Sequence, residues 1–551
     1  MSIRGLKFKD RKGLNGPSNS NFGGAPDGGQ PRLRPGAVPI DTTATEPQNL
    51  VNPGFGFQKQ IDDVGFSSLE RCSAKPSERE VNAGSPSVAS TIVQTTVPSA
   101  SAEVESAVKS TKEEKVAEKD FALLARDRWL VRNGHLITYV GLYLFSVLVL
   151  FRPYEILPGM GFLAFTAFYV GAATMLIFFP SQLATEGNLT MLSTEVKAVL
   201  ALAAIALLTV PIAKDPGLAW EIFNDPFIKA VAIFVVLVNV VRTRKRLMSM
   251  MWLSFGIGIY LSVCAVQLYM EGKFAVEQYR VQVSNINGIF GNPNEMALHF
   301  VMMTPITLAL GIASRYKVMK VVYFAATGLF IAANMVTYSR GGFLGLLGVA
   351  AVLAWKLGRR HKVHTVIGSL LIGGVTILAA PGNYGLRMIS IFIPSLDPVG
   401  SSDARRELLE RSLLVTARNP WGIGIGNFEI VGIQNHQTHN AYTQVSSELG
   451  ILGLVAYLAF MISPFRKLRA IERRLFETDD LNWFYYVSIG LQASIVGYWV
   501  SSFFASVAYN WFIYYLLAYA VAFRRIYSLE KEATEGTVEK TAPSLSEPQT
   551  A

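Results

Sequence analysis

His439-Asn440-Ala441-Tyr442 lies near the end of a polar stretch, 381–444, that separates two apolar segments. The same stretch holds Arg405, Arg406, Arg411 and Arg418. A neutral imidazole, poised near neutral pH, can take a proton from an attacking hydroxyl. A guanidinium is planar and donates from two points, which matches phosphate oxygens. A titratable group and several cations gathered in one loop between membrane segments place the chemistry of the chain in that loop.

Other arginines fall on outer segments as well. Arg340 stands in Tyr338-Ser339-Arg340-Gly341-Gly342, where two apolar segments meet. Glycines there let backbones approach closely and would hold the guanidinium near the mouth of a helical bundle. Arg280 and Arg387 are also on the outer side. The plainer reading of each is an interfacial anchor or a surface charge.

Ser401-Ser402-Asp403-Ala404-Arg405-Arg406 reads as a helix start, with Ser402 or Asp403 as the N-cap. Leu409, Leu413 and Ala417 would share one face, with Arg405 in the first turn of that face beside free backbone N–H groups. Arg406 would point about 100° away, so only one of the pair would face a shared cavity. An amphipathic helix lying on the membrane surface is the competing reading. Asn419-Pro420-Trp421-Gly422-Ile423-Gly424-Ile425-Gly426-Asn427-Phe428 has spaced glycines but follows no strand, so it reads as a turn that re-enters the protein and not as a nucleotide fingerprint. His436 and His439 are three apart without convincing third and fourth ligands, so no metal is expected. Glu448 would orient the site or cap a packing contact. Gly450 and Gly453 would serve helix packing.

These residues need elements to hold them. The chain has 551 residues, of which 51% are hydrophobic and 16% charged. From 136 to 525 it reads as apolar segments of bilayer-spanning length, and such segments must be helices because lipid offers no partner to the backbone. The expected fold is all-α: a polytopic membrane helical bundle of about 12 transmembrane helices. The spans are 136–154, 161–180, 195–213, 226–242, 247–270, 295–313, 319–338, 342–358, 364–380, 443–463, 482–504 and 507–524. Basic groups such as Arg242-Thr243-Arg244-Lys245-Arg246, Arg315 with Lys317 and Lys320, and Arg466-Lys467 fall on one face if both termini are cytoplasmic. That leaves 271–294, 338–342 and the large loop 381–444 outside. The net charge of +10 is explained by these flanking cations, not by nucleic acid.

Residues 1–135 are rich in Gly, Pro, Ser, Thr and Ala and form an expected disordered cytoplasmic region. Residues 526–551 are an expected disordered cytoplasmic tail. No apolar core follows the basic start, so the first span is expected to act as the insertion signal. Cys72 and Cys264 suggest neither a disulfide framework nor a metal site.

Four blocks in order resemble the bacterial O-antigen ligase and O-antigen polymerase superfamily: Gly288-Ile289-Phe290-Gly291-Asn292-Pro293-Asn294; Ser339-Arg340-Gly341-Gly342; Arg405 followed by Pro420-Trp421-Gly422-Ile423-Gly424; and His439-Asn440-Ala441-Tyr442 with Glu448-Leu449-Gly450. The resemblance covers about 136–525, and Leu409 stands where the family often has tryptophan. It implies a multi-pass protein of the bacterial inner membrane with a periplasmic loop at 381–444. It implies a metal-independent glycosyltransferase of surface polysaccharide (O-antigen, lipopolysaccharide or exopolysaccharide) biosynthesis, with no cofactor. The donor would be an undecaprenyl-diphosphate-linked glycan. The acceptor would be a lipid-linked or lipid A-core glycan, or a protein. Arg340 and Arg405, with Arg280 as a third, would bind the diphosphate, and His439 would be the base. Arg406, Asn440, Tyr442 and Glu448 would support them. With no carboxylate placed as a nucleophile, inversion at the anomeric carbon is expected.

Two other classes fit parts of the pattern. A polysaccharide transporter or flippase would carry polar groups at mid-membrane and repeated, interrupted helices; here the spans hold few charges and show no internal repeat. A non-catalytic assembly subunit could shed the histidine and arginines that this chain keeps. Within the enzyme class, ligase, polymerase and protein O-oligosaccharyltransferase remain open, and the long first region would suit contact with other polysaccharide-assembly proteins.

Overall fold

Helix caps and apolar runs set the element boundaries. The computed structural model describes residues 133–156, 159–274, 279–283, 292–359, 362–363, 367–368, 382, 384–391, 393 and 401–541. The first-region and end-tail expectations for 1–132 and 542–551, the block Gly288–Gly291 and most of the expected span 364–380 lie outside these residues. The long helices are α1 (Asn133–Leu150), α2 (Leu163–Glu186), α3 (Thr194–Thr209), α4 (Ile228–Val240), α5 (Arg244–Met270), α6 (Pro293–Ala313), α7 (Lys317–Val336) and α8 (Arg340–Gly358). They continue with α9 (Ser401–Arg418), α10 (Ala441–Glu448), α11 (Gly450–Glu477), α12 (Trp483–Ser501) and α13 (Trp511–Thr541). The described residues contain no β-strand. The chain is an all-α polytopic membrane protein.

Among the described residues, eight helices are long and apolar enough to cross a bilayer: α1, α2, α5, α6, α7, α8, α11 and α12. Two more expected spans form the shorter α3 and α4, whose 16 and 13 residues fall below the roughly 20 that a straight crossing uses. The last expected span lies in α13, which is long but carries Tyr514, Tyr515 and Tyr519 among its apolar residues. α13 also runs to Thr541, so residues 526–541, expected to be disordered, are helical.

The core sits between α6, α12 and α13. Most of α6 is buried from Met296 to Gly311, with α7 and α12 against it. From Trp511 to Phe523 the side chains of α13 are buried, and its tyrosines bond to neighbours: Tyr515 to Ser146 at 2.8 Å and Tyr519 to Ser254 at 2.7 Å. A buried hydroxyl needs such a partner, so these bonds fix α13 against α1 and α5.

Side-chain caps end the loops. Ser339 accepts from Gly342 N at the start of α8, and Asn440 accepts from Tyr442 N and Thr443 N at the start of α10. The tenth span was expected to begin at 443. Instead α10 stops at Glu448, and the membrane-length helix α11 begins at Gly450, whose φ is +73°.

Candidate functional site

Three arginines converge on one turn between α7 and α8. Thr337 ends α7, Tyr338 is left-handed at φ +52°, and Ser339 caps α8. Arg340, the first residue of α8, is buried and donates through Nη2 to Ser390 Oγ at 2.8 Å. Ser390 Oγ donates in turn to the Arg387 carbonyl at 2.7 Å. Arg387 Nε donates to the Tyr338 carbonyl at 3.0 Å, and its guanidinium lies 4.9 Å over the Tyr279 ring. Arg280 Nε donates to the Thr337 carbonyl at 3.0 Å, and its Nη2 donates to Asn294 Oδ1 at 2.8 Å. Ser339 Oγ donates to the same Asn294 oxygen at 2.9 Å. Asn294 thus ties the start of α6 to both Arg280 and the α8 cap. Arg387 and Asn294 carry no spacing signal that would join them to Arg340 in advance.

The fourth arginine sits on α9. That helix starts at Ser401, so Ser402 and Asp403 lie in its first turn and are not its N-cap. Its buried stripe is Leu408, Ser412 and Val415, not Leu409, Leu413 and Ala417; Leu413 is 53% exposed. Arg405 still falls on the inner side, half-buried. Arg406 points out with its side chain 80% exposed and pairs with Glu410 at 3.2 Å. α9 rests on α10, where Thr416 and Ser446 hydroxyls meet at 3.0 Å.

His439 stands immediately before α10 with φ +50°, and its backbone N–H donates to Ser506 Oγ at 2.8 Å. Thr438, one residue earlier, meets the same Oγ at 3.1 Å. Burial, and then the Arg405 and His436 charges, push the His439 imidazole down to about 4. It is therefore neutral throughout the physiological range, well below the near-neutral poise expected from the sequence. The rings of His436 and His439 are 6.5 Å apart and tilted, and no group of three metal-ligating side chains occurs among the described residues.

One short segment joins the two halves. Ser501 Oγ donates to the Gly341 carbonyl at 3.0 Å, and a Cβ on Gly341 would stand 2.9 Å from Phe504 Cβ. Five residues beyond Ser501, Ser506 holds His439. The Arg340 end of α8 and the histidine are therefore anchored to the same connection between α12 and α13. Such an arrangement can hold an anion by guanidinium groups beside a neutral nitrogen base.

Residues 325–458 match the family model described as O-antigen ligase. The match over this segment agrees with the four sequence blocks and supports the O-antigen ligase and polymerase superfamily. With the membrane-length helices, it supports a membrane enzyme of surface-polysaccharide assembly. No curated protein matches the chain. The matched segment runs from α7 into α11 and contains Arg340, Arg405, Arg406, His439, Asn440, Tyr442 and Glu448, while Arg280 lies before it.

Within this O-antigen ligase segment, the supporting residues have defined contacts. Tyr442 Oη donates to the Trp499 carbonyl at 2.9 Å, which ties α10 to α12. Glu448 is buried at the end of α10, where Phe428 N approaches its Oε1 at 3.4 Å and the Gly426 N–H and Tyr509 hydroxyl also interact with it. Burial pushes its carboxyl up to about 7. The glycine-rich turn does re-enter the protein: Ile423 N donates to the Ser447 carbonyl at 3.1 Å and Gly424 N to the Glu448 carbonyl at 2.9 Å. Gly450, expected to serve helix packing, instead takes a left-handed turn beneath this loop, and a Cβ there would collide with the Pro420 carbonyl oxygen.

Proposed function

We propose that this enzyme transfers glycan from an undecaprenyl-diphosphate-linked donor at the periplasmic face of a bacterial inner membrane, with both termini cytoplasmic, and so ligates or polymerises surface polysaccharide. The observation that carries this reading is the shared anchorage of Arg340 and His439 on Ser501–Ser506. Outside the cytoplasm there is no nucleotide supply, so bond formation needs a donor that arrives activated. A lipid diphosphate is such a donor.

Arg340 and Arg405 hold the diphosphate, and Arg280 and Arg387 shape the turn that presents Arg340. An acceptor sugar hydroxyl attacks the anomeric carbon. A bond forms between that oxygen and the carbon, the carbon–phosphate oxygen bond breaks, and the lipid diphosphate leaves with the electron pair. The hydroxyl proton passes to His439 Nε2 or Nδ1. Fixed guanidinium groups stabilise the leaving charge as it develops. Burial holds the imidazole down most and Arg405 adds to it; a diphosphate beside Arg405 offsets that second part, so donor binding makes His439 a stronger base when the base is needed. Single displacement inverts the anomeric centre, and no metal takes part.

The test is the size distribution of polyprenol-linked glycan in cells carrying His439→Ala at normal abundance. Loss of product supports the base role, and unchanged product overturns it. In cells lacking the chain, accumulated single repeat units identify a polymerase, and long polymer stranded on the carrier identifies a ligase.

A further inference from the structure

Away from the arginine turn, at the other end of α6, the bundle holds a cavity that glycan transfer does not use. Its volume is about 810 Å³, within the range that holds small-molecule groups. It opens where the start of α5, the α6–α7 turn, the start of α12 and the body of α13 meet. α6 connects this end to Asn294 at the arginine turn, and its 21 residues span about 30 Å.

Arg244 and Arg315 line the cavity together with one carboxylate, Glu530, so its charged lining has one surplus positive charge. The Arg244 guanidinium stands over the Trp483 ring, 4.0 Å from its centroid. Stacking leaves the guanidinium edge, with its N–H donors, to face a ligand. Lys317 and Lys320 follow on the exposed first turn of α7. One wall of the cavity is Tyr316, Met319 and Tyr323. On the same helix, Val318, Val321 and Phe324 turn outward at 71%, 67% and 43% exposure. A cationic cavity thus adjoins an apolar helix face that continues away from it.

We propose that this cavity binds the headgroup of an anionic phospholipid. The phosphodiester lies between Arg244 and Arg315, and the acyl chains run along Val318, Val321 and Phe324 of α7. A free phosphate would use the arginines but not the apolar face, whereas a zwitterionic lipid would use the face but bring its own cation to the arginines. Basic pockets between membrane helices at the headgroup level select anionic lipids for this reason. The proposal does not depend on the glycosyl-transfer reading.

The full-length protein in detergent is the test object, with its thermal midpoint as readout. Dioleoyl-phosphatidylglycerol, dioleoyl-phosphatidylcholine and inorganic phosphate are added separately. Phosphatidylglycerol is expected to raise the midpoint by about 3 °C, with little change from the other two. Arg315→Gln, at an exposed position, should abolish most of that shift, and Arg315→Lys should keep part of it. Equal shifts from both lipids, an equal shift from phosphate, or an undiminished shift in Arg315→Gln would each overturn the proposal.

Discussion

The backbone N–H of His439 is held by Ser506 Oγ at 2.8 Å, across 67 positions of sequence. His439 has φ +50°, a conformation that few side chains adopt without support. The serine, with the Asn440 cap one residue later, supplies that support. The aim of the imidazole therefore depends on a residue from the α12–α13 connection.

Ser506→Ala removes the hydrogen bond to a strained residue, and with it the hydroxyl contact to Thr438. Activity should fall about tenfold, the equivalent of roughly 1.4 kcal/mol, while abundance stays near normal. Ser506→Thr keeps the hydroxyl and should retain more activity. The comparison is made by glycan product formed per unit of protein.

Arg405 and Arg406 should separate cleanly. Arg405→Gln removes a cation that depresses the His439 imidazole, so its pKa should rise from about 4 toward the ordinary value. Histidine nitrogen chemical shifts followed over pH would record the rise. Donor binding should weaken at the same time. Arg406→Gln breaks only an exposed pair with Glu410, and neither property should change measurably.

Glu448 gives the protein a pH signature. Its folded carboxyl is raised from the ordinary 4.5 to about 7 by burial. Between those values the folded state holds a proton that the unfolded chain has lost. The contribution to stability is therefore full below 4.5 and disappears as pH rises through 7. The thermal midpoint should drop across this window in the natural protein and stay flatter in Glu448→Gln. Parallel curves for the two would refute the assignment.

Gly450→Ala would put a Cβ against the Pro420 carbonyl and force a left-handed residue without glycine's freedom. The loop 420–424 should detach from α10, with a loss of at least about 1 kcal/mol in stability. Size-exclusion chromatography after heating would show it as an earlier loss of the monodisperse peak. Gly272→Ala, at an equally left-handed turn with open space around it, separates backbone strain from collision.

Hydropathy alone determined that the chain is a helical membrane protein, because a backbone in lipid has no other way to satisfy its hydrogen bonds. Helical periodicity alone put Arg405 inward and Arg406 outward, since adjacent residues on a helix differ by about 100°. The buried stripe on α9 runs along Leu408, Ser412 and Val415 instead of Leu409, Leu413 and Ala417. Its inner face is set by what α10 presents, including Ser446 opposite Thr416, and not by the most apolar line. The membrane-length helix begins at Gly450 and not at 443, because the loop at Pro420–Gly424 crosses the junction and bonds to its backbone. No spacing along the chain could have joined Arg280, Asn294 and Arg387 around Thr337–Arg340, or Ser506 to His439. These contacts span from 14 to 67 residues and exist only where separate helices end at the same level. Residue types and local period are written along the chain, whereas the meeting of helix ends is decided by how α6, α8 and α12 pack against one another.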